Sequence, residues 1–377
     1  MTEPRGVALY VHWPFCQSKC PYCDFNSHVV ASVDHDRWAQ AYLRELERSA
    51  AELPDRVLSS IFFGGGTPSL MAPETVQKIV EAARSLWPSV NDLEVTLEAN
   101  PTSSEATKFA RFREAGVNRI SIGLQALNDE DLHALGRLHT AQEGVAAYKM
   151  AREIFDRCSF DLIYARQNQS LEAWRDELES ALALAPDHMS LYQLTIEDGT
   201  AFGDRFHRGL LRGLPSEDLA ADMFELTQET CEAAGLPAYE TSNHAVPGAE
   251  SRHNMTYWKS GDWIGIGPGA HGRFTLGDQR IGTEAFRMPT RWLTAVEARS
   301  GEESRAVSAS ADLEEKLLMG LRLVEGIPIS RTTELQIKIN DINSLTDNML
   351  LEWAGEYLRL TKAGRPVLNS VLKELLA

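Results

Sequence analysis

Three of the five cysteines in the sequence lie within eight residues, at Cys16, Cys20 and Cys23. They form a C-x3-C-x2-C pattern, and thiolates are soft ligands that suit either zinc or an iron–sulfur cluster. A structural zinc site usually takes two close pairs of ligands, and the sequence has no second cysteine pair. The side chains that could still complete a zinc site are His12, Asp24 and His28. The pattern therefore favours a four-iron cluster with one iron left open, and zinc is the alternative.

A glycine run follows further along the chain, at residues 64–66, directly before Thr67 and Pro68. Glycines let the backbone approach a ligand closely and expose amide donors. The alternative interpretation is a tight turn without a ligand. The run comes after a predicted strand, which is where a ligand-binding loop would lie.

The elements that position these residues alternate between apolar runs and amphipathic segments. Apolar runs predict strands at 8–11, 60–63, 93–97, 119–124, 160–164 and 189–196. Helical spacing of apolar residues predicts helices at 37–51, 73–86, 104–115, 129–155 and 171–184. Strand followed by helix, repeated about six times, predicts an α/β domain with a parallel sheet, either doubly wound or closed towards a barrel.

Both architectures place their sites at the carboxyl ends of the strands. The cysteines follow the first predicted strand and the glycine run follows the second. Glu98 ends the third strand and Gln125 follows the fourth. We therefore expect these residues to meet at one end of the sheet.

The alternation of predicted strands and helices ends at about residue 200. A helix is predicted at 216–234, irregular strands and loops at 237–283, and helices at 284–299, 312–324, 341–353 and 366–376, with a strand at 357–360. We predict an α/β core at 1–200, an α+β extension at 201–300 and a small winged-helix-like unit at 301–377.

Lys and Arg total 37 against 54 Asp and Glu, which gives a formal net charge of −17. An acidic surface repels phosphate backbones, so we expect no nucleic acid partner. The amino-terminal residues contain no apolar signal core, and no stretch reaches the ~20 apolar residues of a membrane span. The cysteines are clustered or isolated and not spaced as disulfide pairs, which is typical of proteins in the reducing cytoplasm. Peripheral contact with a membrane stays open.

The cysteine spacing, in a loop after the first strand of an α/β domain, resembles the radical S-adenosylmethionine superfamily. The resemblance implies a 4Fe-4S cluster on Cys16, Cys20 and Cys23. It also implies that S-adenosylmethionine binds the open iron through its amino and carboxylate groups.

Several further motifs resemble the oxygen-independent coproporphyrinogen oxidase group. They lie at 10–16, 64–68, 97–101, 121–125, 135–137 and 161–164. The resemblance implies a partial (β/α)6 barrel. It implies that the cluster-bound S-adenosylmethionine contacts Tyr10, Gly65, Glu98 and the backbone near His271. The residues that match a second S-adenosylmethionine site are Tyr22, Gly66, Thr67, Gln125, Arg137 and Asp161.

Three features separate the sequence from the true oxidase and resemble the HemW family of haem chaperones. Phe25 stands where the oxidase has a fourth cysteine, the segment before the cluster is shorter, and residues 253–258 read H-N-x-x-Y-W. The resemblance implies haem as a third cofactor, bound by His253, Tyr257 and Trp258. Imidazole and phenolate are known haem ligands, and on a helix His253 and Tyr257 would share a face. Without the resemblance, the motif is weak, because a His–Tyr–Trp cluster is more often a packed corner of the core.

The expected function is therefore a haem chaperone that delivers haem to respiratory acceptor proteins, with no residue assigned to catalysis and with a homodimer left open. One alternative is a coproporphyrinogen dehydrogenase, which oxidatively decarboxylates two propionates. Another is a radical enzyme that acts on an unrelated substrate. A smaller departure is Asn168, which stands where the family usually has glycine. Because asparagine tolerates left-handed backbone geometry, we expect this turn to be kept.

Overall fold

The computed structural model describes residues 5–328 and 339–376. The strands are β1 (Arg5–Trp13), β2 (Phe15–Cys16), β3 (His28–Val29), β4 (Arg56–Gly65), β5 (Ser89–Ala99), β6 (Arg119–Gln125), β7 (Arg157–Tyr164), β8 (His188–Gln193), β9 (Asn243–Ala245), β10 (Asp262–Ile266), β11 (His271–Leu276), β12 (Gln279–Ala285), β13 (Glu302–Ala306), β14 (Ile327–Pro328), β15 (Leu351–Ala354) and β16 (Tyr357–Leu360). The helices are α1 (His35–Glu52), α2 (Pro73–Leu86), α3 (Ser103–Ala106), α4 (Phe109–Glu114), α5 (Asp129–Ala134), α6 (Ala141–Ile154), α7 (Leu171–Leu182), α8 (Ala201–His207), α9 (Glu217–Ala233), α10 (Arg252–Trp258), α11 (Pro289–Ala298), α12 (Ala309–Gly320), α13 (Ile339–Asp347) and α14 (Leu368–Leu376).

One sheet organises most of the described chain, in the order β13-β12-β11-β10-β1-β4-β5-β6-β7-β8-β9. The seven strands from β10 to β8 run parallel. Strands β9, β11, β12 and β13 extend this set in antiparallel pairing. The predicted α/β class and the six strand–helix repeats are confirmed.

Amphipathic helices cover the outer face of the sheet. In α1, the side chains of Trp38, Tyr42 and Leu46 recur every four residues and are all buried. Asp34 caps this helix by accepting a hydrogen bond from the Arg37 amide, which satisfies one of the orphan donors of the first turn. The predicted long helix at 129–155 is two helices, α5 and α6, and the second begins with a capping box between Thr140 and Glu143.

The inner face of the sheet is unusually polar. Side chains alternate across a strand, so Val95 and Leu97 of β5 join the apolar core while Thr96 and Glu98 face the barrel interior. Thr96 accepts a 3.5 Å hydrogen bond from Arg119, which also donates to the Ser159 hydroxyl at 3.1 Å. The barrel interior therefore contains hydrogen-bonded polar side chains around the buried guanidinium of Arg119.

The region predicted as irregular strands and loops is more regular than expected. Helix α10 and strands β9, β10 and β11 fall within it, and β10 pairs in parallel with β1, with Tyr10 opposite Gly265. Strand β12 begins in this region and ends at Ala285, so the helix predicted at 284–299 is wrong at its start and begins at Pro289. The extension therefore continues the main sheet instead of forming a separate layer.

The C-terminal part packs around its own apolar cluster, from α12, α13, α14 and a small sheet in the order β14-β16-β15. The prediction of a helix over 341–353 is wrong at its end, since residues 351–354 form strand β15. β15 pairs with β16, and Trp353 lies opposite Leu358. Strand β13 joins the main sheet. The proposed division at 200 and 300 stays a prediction, and part of its last unit, residues 329–338, lies outside the described residues.

Two other sequence expectations concern local features. Asn168 adopts a left-handed φ of 58°, as the turn requires, and its amide donates to the Gly213 carbonyl at 2.7 Å. Within residues 5–328 and 339–376, none of the helices combines the length and the apolar character needed to cross a membrane.

Candidate metal centre and barrel interior

The three clustered cysteines lie on one loop at the carboxyl end of β1. Cys16 is in β2, which pairs in parallel with β3 after the loop, so that Phe15 faces His28 and Cys16 faces Val29. Within the loop the Cys23 amide donates to the Cys20 carbonyl at 3.1 Å. The loop therefore returns on itself and holds all three thiols at the open end of the barrel, each of them partly exposed.

Polar groups point at the sulfur atoms. The Thr67 hydroxyl donates to Cys16 Sγ at 3.3 Å, and Arg137 Nη1 donates to Cys20 Sγ at 3.5 Å. Burial raises the pKa of the Cys16 and Cys23 thiols, whereas coordination to a metal deprotonates a thiol outright. A donor set of three thiolates with hydrogen bonds to sulfur fits an iron–sulfur cluster.

The zinc alternative fits poorly. In the part of the chain that the structure describes, no three His, Cys, Asp or Glu side chains surround a common metal-ion position. His12 is occupied by the Tyr10 hydroxyl at 3.1 Å and by the Asn26 carbonyl at 2.9 Å. Cluster cysteines bind separate irons, so they need not converge on one point.

The glycine loop lies against the cysteine loop. Gly65 has a φ of 110°, a conformation that favours glycine. A Cβ on Gly66 would lie 2.8 Å from the Phe15 carbonyl oxygen and 3.0 Å from Cys16 Sγ. The loop thus needs its glycines to approach the cysteine loop, which a simple turn would not require.

The residues predicted to contact the cluster-bound S-adenosylmethionine gather beside this loop. Glu98 accepts a 3.3 Å hydrogen bond from the Gly65 amide. Burial, with a contribution from Asp161, raises the pKa of Glu98 to about 8. The His271 carbonyl accepts from Trp263 Nε1 at 3.0 Å and crowds Gly265, the partner of Tyr10 in β10.

The residues predicted for a second S-adenosylmethionine lie at the same end of the barrel, and Gly66 and Thr67 among them belong to the glycine loop beside Cys16. Burial raises the pKa of Asp161 to about 6. Tyr22 packs near Phe202, with ring centroids 6.4 Å apart. Gln125 adopts a φ of 69° although it is not glycine, a strain that the surrounding structure must maintain.

Asn100 and Arg119 carry site contacts that the sequence analysis did not assign. Asn100 donates to Thr67 Oγ1 at 3.1 Å and accepts from Arg137 Nη2 at 2.6 Å. A continuous polar chain therefore joins Cys16 to Cys20. The signal available for Asn100 was its position directly after β5. The signal available for Arg119 was a charged residue at the first position of a strand that is otherwise mostly apolar.

The H-N-x-x-Y-W segment is helix α10, as the shared-face argument requires. His253 is only 1% exposed. Its Nδ1 lies 2.9 Å from the Ser60 hydroxyl and its Nε2 lies 2.7 Å from the Tyr257 hydroxyl. Both imidazole nitrogens are therefore occupied within the barrel, and in this arrangement neither is available to an iron.

The other two residues of the motif are less enclosed. Tyr257 is partly exposed, and its ring meets Trp263 edge to face with centroids 4.8 Å apart. Trp258 lies under the Arg322 guanidinium, 4.8 Å from ring centroid to Cζ. Its Nε1 has no hydrogen-bond partner among the described residues. The packed-corner interpretation thus accounts for His253, while Tyr257 and Trp258 keep surface for other contacts.

A parallel α/β sheet with a three-cysteine loop and a glycine loop at its carboxyl end defines a radical S-adenosylmethionine protein. The family model "Radical SAM superfamily" matches residues 10–181, and "HemN C-terminal domain" matches residues 307–367. Membership of this superfamily implies a 4Fe-4S cluster and S-adenosylmethionine as cofactors.

Similarity to known proteins extends over the whole chain. It is 39% identical to "Heme chaperone HemW" of Escherichia coli (strain K12), with 100% of both chains covered. It is 38% identical to "Radical S-adenosyl methionine domain-containing protein 1, mitochondrial" of Bos taurus, covering 99% of this chain and 88% of that protein. The chain belongs to the HemW family.

A solved structure of coproporphyrinogen III oxidase (HemN) from Escherichia coli has the same fold. The TM-score is 0.81 at 20% identity, with 99% of this chain and 90% of that chain covered. At this identity the likeness establishes the architecture alone.

Proposed function

We propose that the protein is a haem chaperone, which binds haem and passes it to haem-accepting respiratory proteins in the cytoplasm. The observation that carries this proposal is the full-length similarity to a relative named as a heme chaperone. Phe25, with 60% of its surface exposed, supports it, because a fourth cysteine would stand there in the true oxidase.

In this proposal Cys16, Cys20 and Cys23 hold the cluster. Tyr10, Gly65, Glu98 and the backbone at His271 form the S-adenosylmethionine pocket beside it. A bound cluster supplies an open iron for the amino and carboxylate groups of S-adenosylmethionine. Cofactor binding then regulates haem transfer or dimer formation rather than a turnover reaction.

The second S-adenosylmethionine site is proposed separately. It would use Gln125, Arg137 and Asp161, which face the same end of the barrel, together with Tyr22, Gly66 and Thr67. Arg137 is tied to Asn100, to the Gly123 carbonyl and to Cys20 Sγ. A second molecule would therefore have to exchange contacts that already stabilise the cluster loop.

Haem recognition is assigned to the region of α10. His253, Tyr257 and Trp258 come from the family motif, but the imidazole of His253 is already bonded on both sides. The Tyr257 hydroxyl is a partner in one of these bonds, so the partly exposed rings of Tyr257 and Trp258 are what the motif offers to a ligand.

A paired experiment on one anaerobically reconstituted preparation tests the proposal. Titration with haem should produce a stoichiometric change in the Soret band. The same preparation, supplied with reductant, S-adenosylmethionine and coproporphyrinogen, should form no protoporphyrinogen. If the Soret band does not change at stoichiometric haem, the chaperone function is wrong. If protoporphyrinogen forms, the protein is a dehydrogenase.

A further inference from the structure

Asn26, three residues after the last cysteine of the cluster motif, binds two other loops to the cysteine loop. Its Nδ2 donates to the Pro268 carbonyl and to the Arg287 carbonyl, at 2.8 Å in each case. His28 Nε2 lies 3.3 Å from the amide oxygen Oδ1. Because the two carbonyls can only accept, both N–H groups of the amide are used and its orientation is fixed. One side chain therefore joins the cysteine loop to the β10–β11 connection and to the β12–α11 connection.

The β10–β11 connection lies too close to the cysteine loop to carry a side chain at two of its positions. A Cβ on Gly269 would lie 2.6 Å from Asn26 Nδ2, and a Cβ on Gly267 would lie 2.3 Å from the His12 carbonyl oxygen. Both glycines have a positive φ, of 77° and 104° respectively. Glycine is the residue that allows such an approach, so the connection is built against Asn26 and the end of β1.

This connection leads directly into His271, near which the backbone is predicted to contact S-adenosylmethionine. The Ala270 amide donates to the Gly267 carbonyl at 3.1 Å, and the Gly269 amide donates to the Phe286 carbonyl at 3.2 Å. The two connections that Asn26 binds are therefore also bonded to each other. Asn26 thus holds one wall of the proposed pocket in place against the cysteine loop.

The backbone carbonyl of Asn26 acts on another predicted contact, Tyr10, through His12. His12 Nε2 lies 2.9 Å from this carbonyl, and His12 Nδ1 lies 3.1 Å from the Tyr10 hydroxyl. Burial lowers the pKa of His12 to about 4, so at pH 7 the imidazole is neutral and carries one proton. Because a carbonyl only accepts, that proton is on Nε2 and Nδ1 accepts from Tyr10. With its proton used in this way, the Tyr10 oxygen can only accept a hydrogen bond from a bound cofactor.

We propose that Asn26 is a positioning residue of the S-adenosylmethionine pocket, whose side chain fixes the wall before His271 and whose carbonyl fixes Tyr10 through His12. The inference rests on the pocket described in the proposed function and explains how its parts are held together. A cofactor with two groups fixed on one iron reaches both contacts only while they keep their positions. Preorganised contacts bind more tightly because less freedom is lost on binding.

Two substitutions test the side-chain part of this role in the full-length, anaerobically reconstituted protein. Asn26→Asp keeps the shape of the side chain but removes both N–H donors, so it can no longer bind the two carbonyls. Asn26→Ala removes the same donors without adding a charge. The matched control is Asn369→Asp, at an exposed position of α14. Iron and sulfide analysis of each variant reports whether the cluster still assembles.

Equilibrium dialysis with S-adenosylmethionine should show at least about tenfold weaker binding for both Asn26 variants, whereas the control stays within about twofold of the parent. Electron paramagnetic resonance of the reduced cluster gives a second readout, because a cofactor bound to the open iron changes the signal. In both Asn26 variants this change should require correspondingly more S-adenosylmethionine. Iron and sulfide should stay at the level of the parent, which a purely structural role in the cysteine loop would not predict.

The outcomes separate this inference from the proposed function. If the parent protein binds no S-adenosylmethionine, the proposed pocket itself is wrong. If the parent binds it and both Asn26 variants bind it as tightly, the inference is wrong while the pocket stands. If only Asn26→Asp loses affinity, the added charge is the cause and the inference is also wrong. If iron and sulfide fall together with affinity in both variants, Asn26 holds the cluster loop rather than the pocket, and this too would overturn the inference.

Discussion

The Nε2 atom of His253 lies 2.7 Å from the hydroxyl oxygen of Tyr257, one helical turn further along α10. On the other side of the ring, Nδ1 lies 2.9 Å from the Ser60 hydroxyl in β4. The imidazole is also stacked on Phe62, with ring centroids 5.0 Å apart. The histidine of the family motif therefore joins the helix to the barrel wall, and this has consequences for stability as well as for ligand binding.

The first prediction concerns stability. His253→Ala should lower the free energy of unfolding by about 2–4 kcal/mol, because it removes the partner of the buried Ser60 hydroxyl and of the Tyr257 hydroxyl and opens a cavity. Chemical denaturation of the apo-protein measures the effect. His207→Ala, at an exposed position paired with Asp198, is the control and should change stability by less than about 0.5 kcal/mol. Equal values for the two variants would contradict the role given to His253.

The second prediction concerns pH. Burial lowers the pKa of His12, His139 and His244 to about 4 and that of His253 to about 3. Below pH ~6.5 the unfolded chain binds protons at these sites that the folded chain does not. Their contribution to stability is therefore complete above that pH and is lost as the pH falls towards 4.

Buried carboxyl groups act in the opposite direction. Glu98, with a pKa of about 8, and Asp161, with a pKa of about 6, hold protons in the folded state that the unfolded state has released. Burial also raises the pKa of Glu105 and Glu302, whereas it lowers the pKa of a fifth histidine, His188. The histidines outweigh the carboxyls, so between pH 6 and 5 stability should fall by about 1–3 kcal/mol. Denaturation of the apo-protein at several pH values measures this. His253→Gln should make the slope shallower, and a profile that is flat or rises towards acid would contradict the assignment.

The parallel core could be predicted from the sequence because its signals are local. Apolar runs of four to eight residues alternate with helical spacing, and residues with distinctive chemistry, such as Cys16 and Glu98, lie at or just after the ends of several strands. The exceptions are segments whose structure depends on a distant partner. Residues 351–354 contain helix-favouring Leu, Glu and Ala, yet pairing with β16 makes them a strand, because tertiary context overrides a weak local propensity.

The meeting of Cys16, Cys20 and Cys23 on one loop could be predicted for the same reason, since they lie within eight residues. The environment of His253 could not, because Ser60 is 193 positions away in the sequence. Its full burial follows only once β4, β5 and α10 are assembled. Asn100 was missed as a site residue for a related reason, since its role comes from simultaneous contacts with Thr67 and Arg137.

The third prediction tests the cluster ligands. Cys20→Ser should abolish the broad visible absorption of the reconstituted cluster, because a serine hydroxyl is a poor substitute for a thiolate on iron. Cys231→Ser removes a buried thiol on α9, away from the cluster loop, and should retain the absorption. Iron and sulfide analysis of both variants measures the outcome. A full four-iron content in Cys20→Ser would refute the ligand assignment.

The fourth prediction concerns the reduction potential of the cluster. Arg137 Nη1 donates to Cys20 Sγ at 3.5 Å, and its Nη2 is fixed by Asn100 at 2.6 Å and the Gly123 carbonyl at 2.9 Å. Hydrogen bonds and positive charge at the sulfurs favour the reduced cluster. Arg137→Gln should therefore lower the potential by about 40 mV or more, the equivalent of about 1 kcal/mol for one electron.

A redox titration followed by electron paramagnetic resonance measures this potential. Arg113→Gln is the matched control, because Arg113 pairs with Asp156 on the surface and should leave the potential unchanged. Asn100→Ala should give a smaller shift in the same direction, since it releases Arg137 without removing its charge. If the potential of Arg137→Gln equals that of the parent, the guanidinium does not act on the cluster. Its contacts with Asn100 and Gly123 would then serve only to hold the loop.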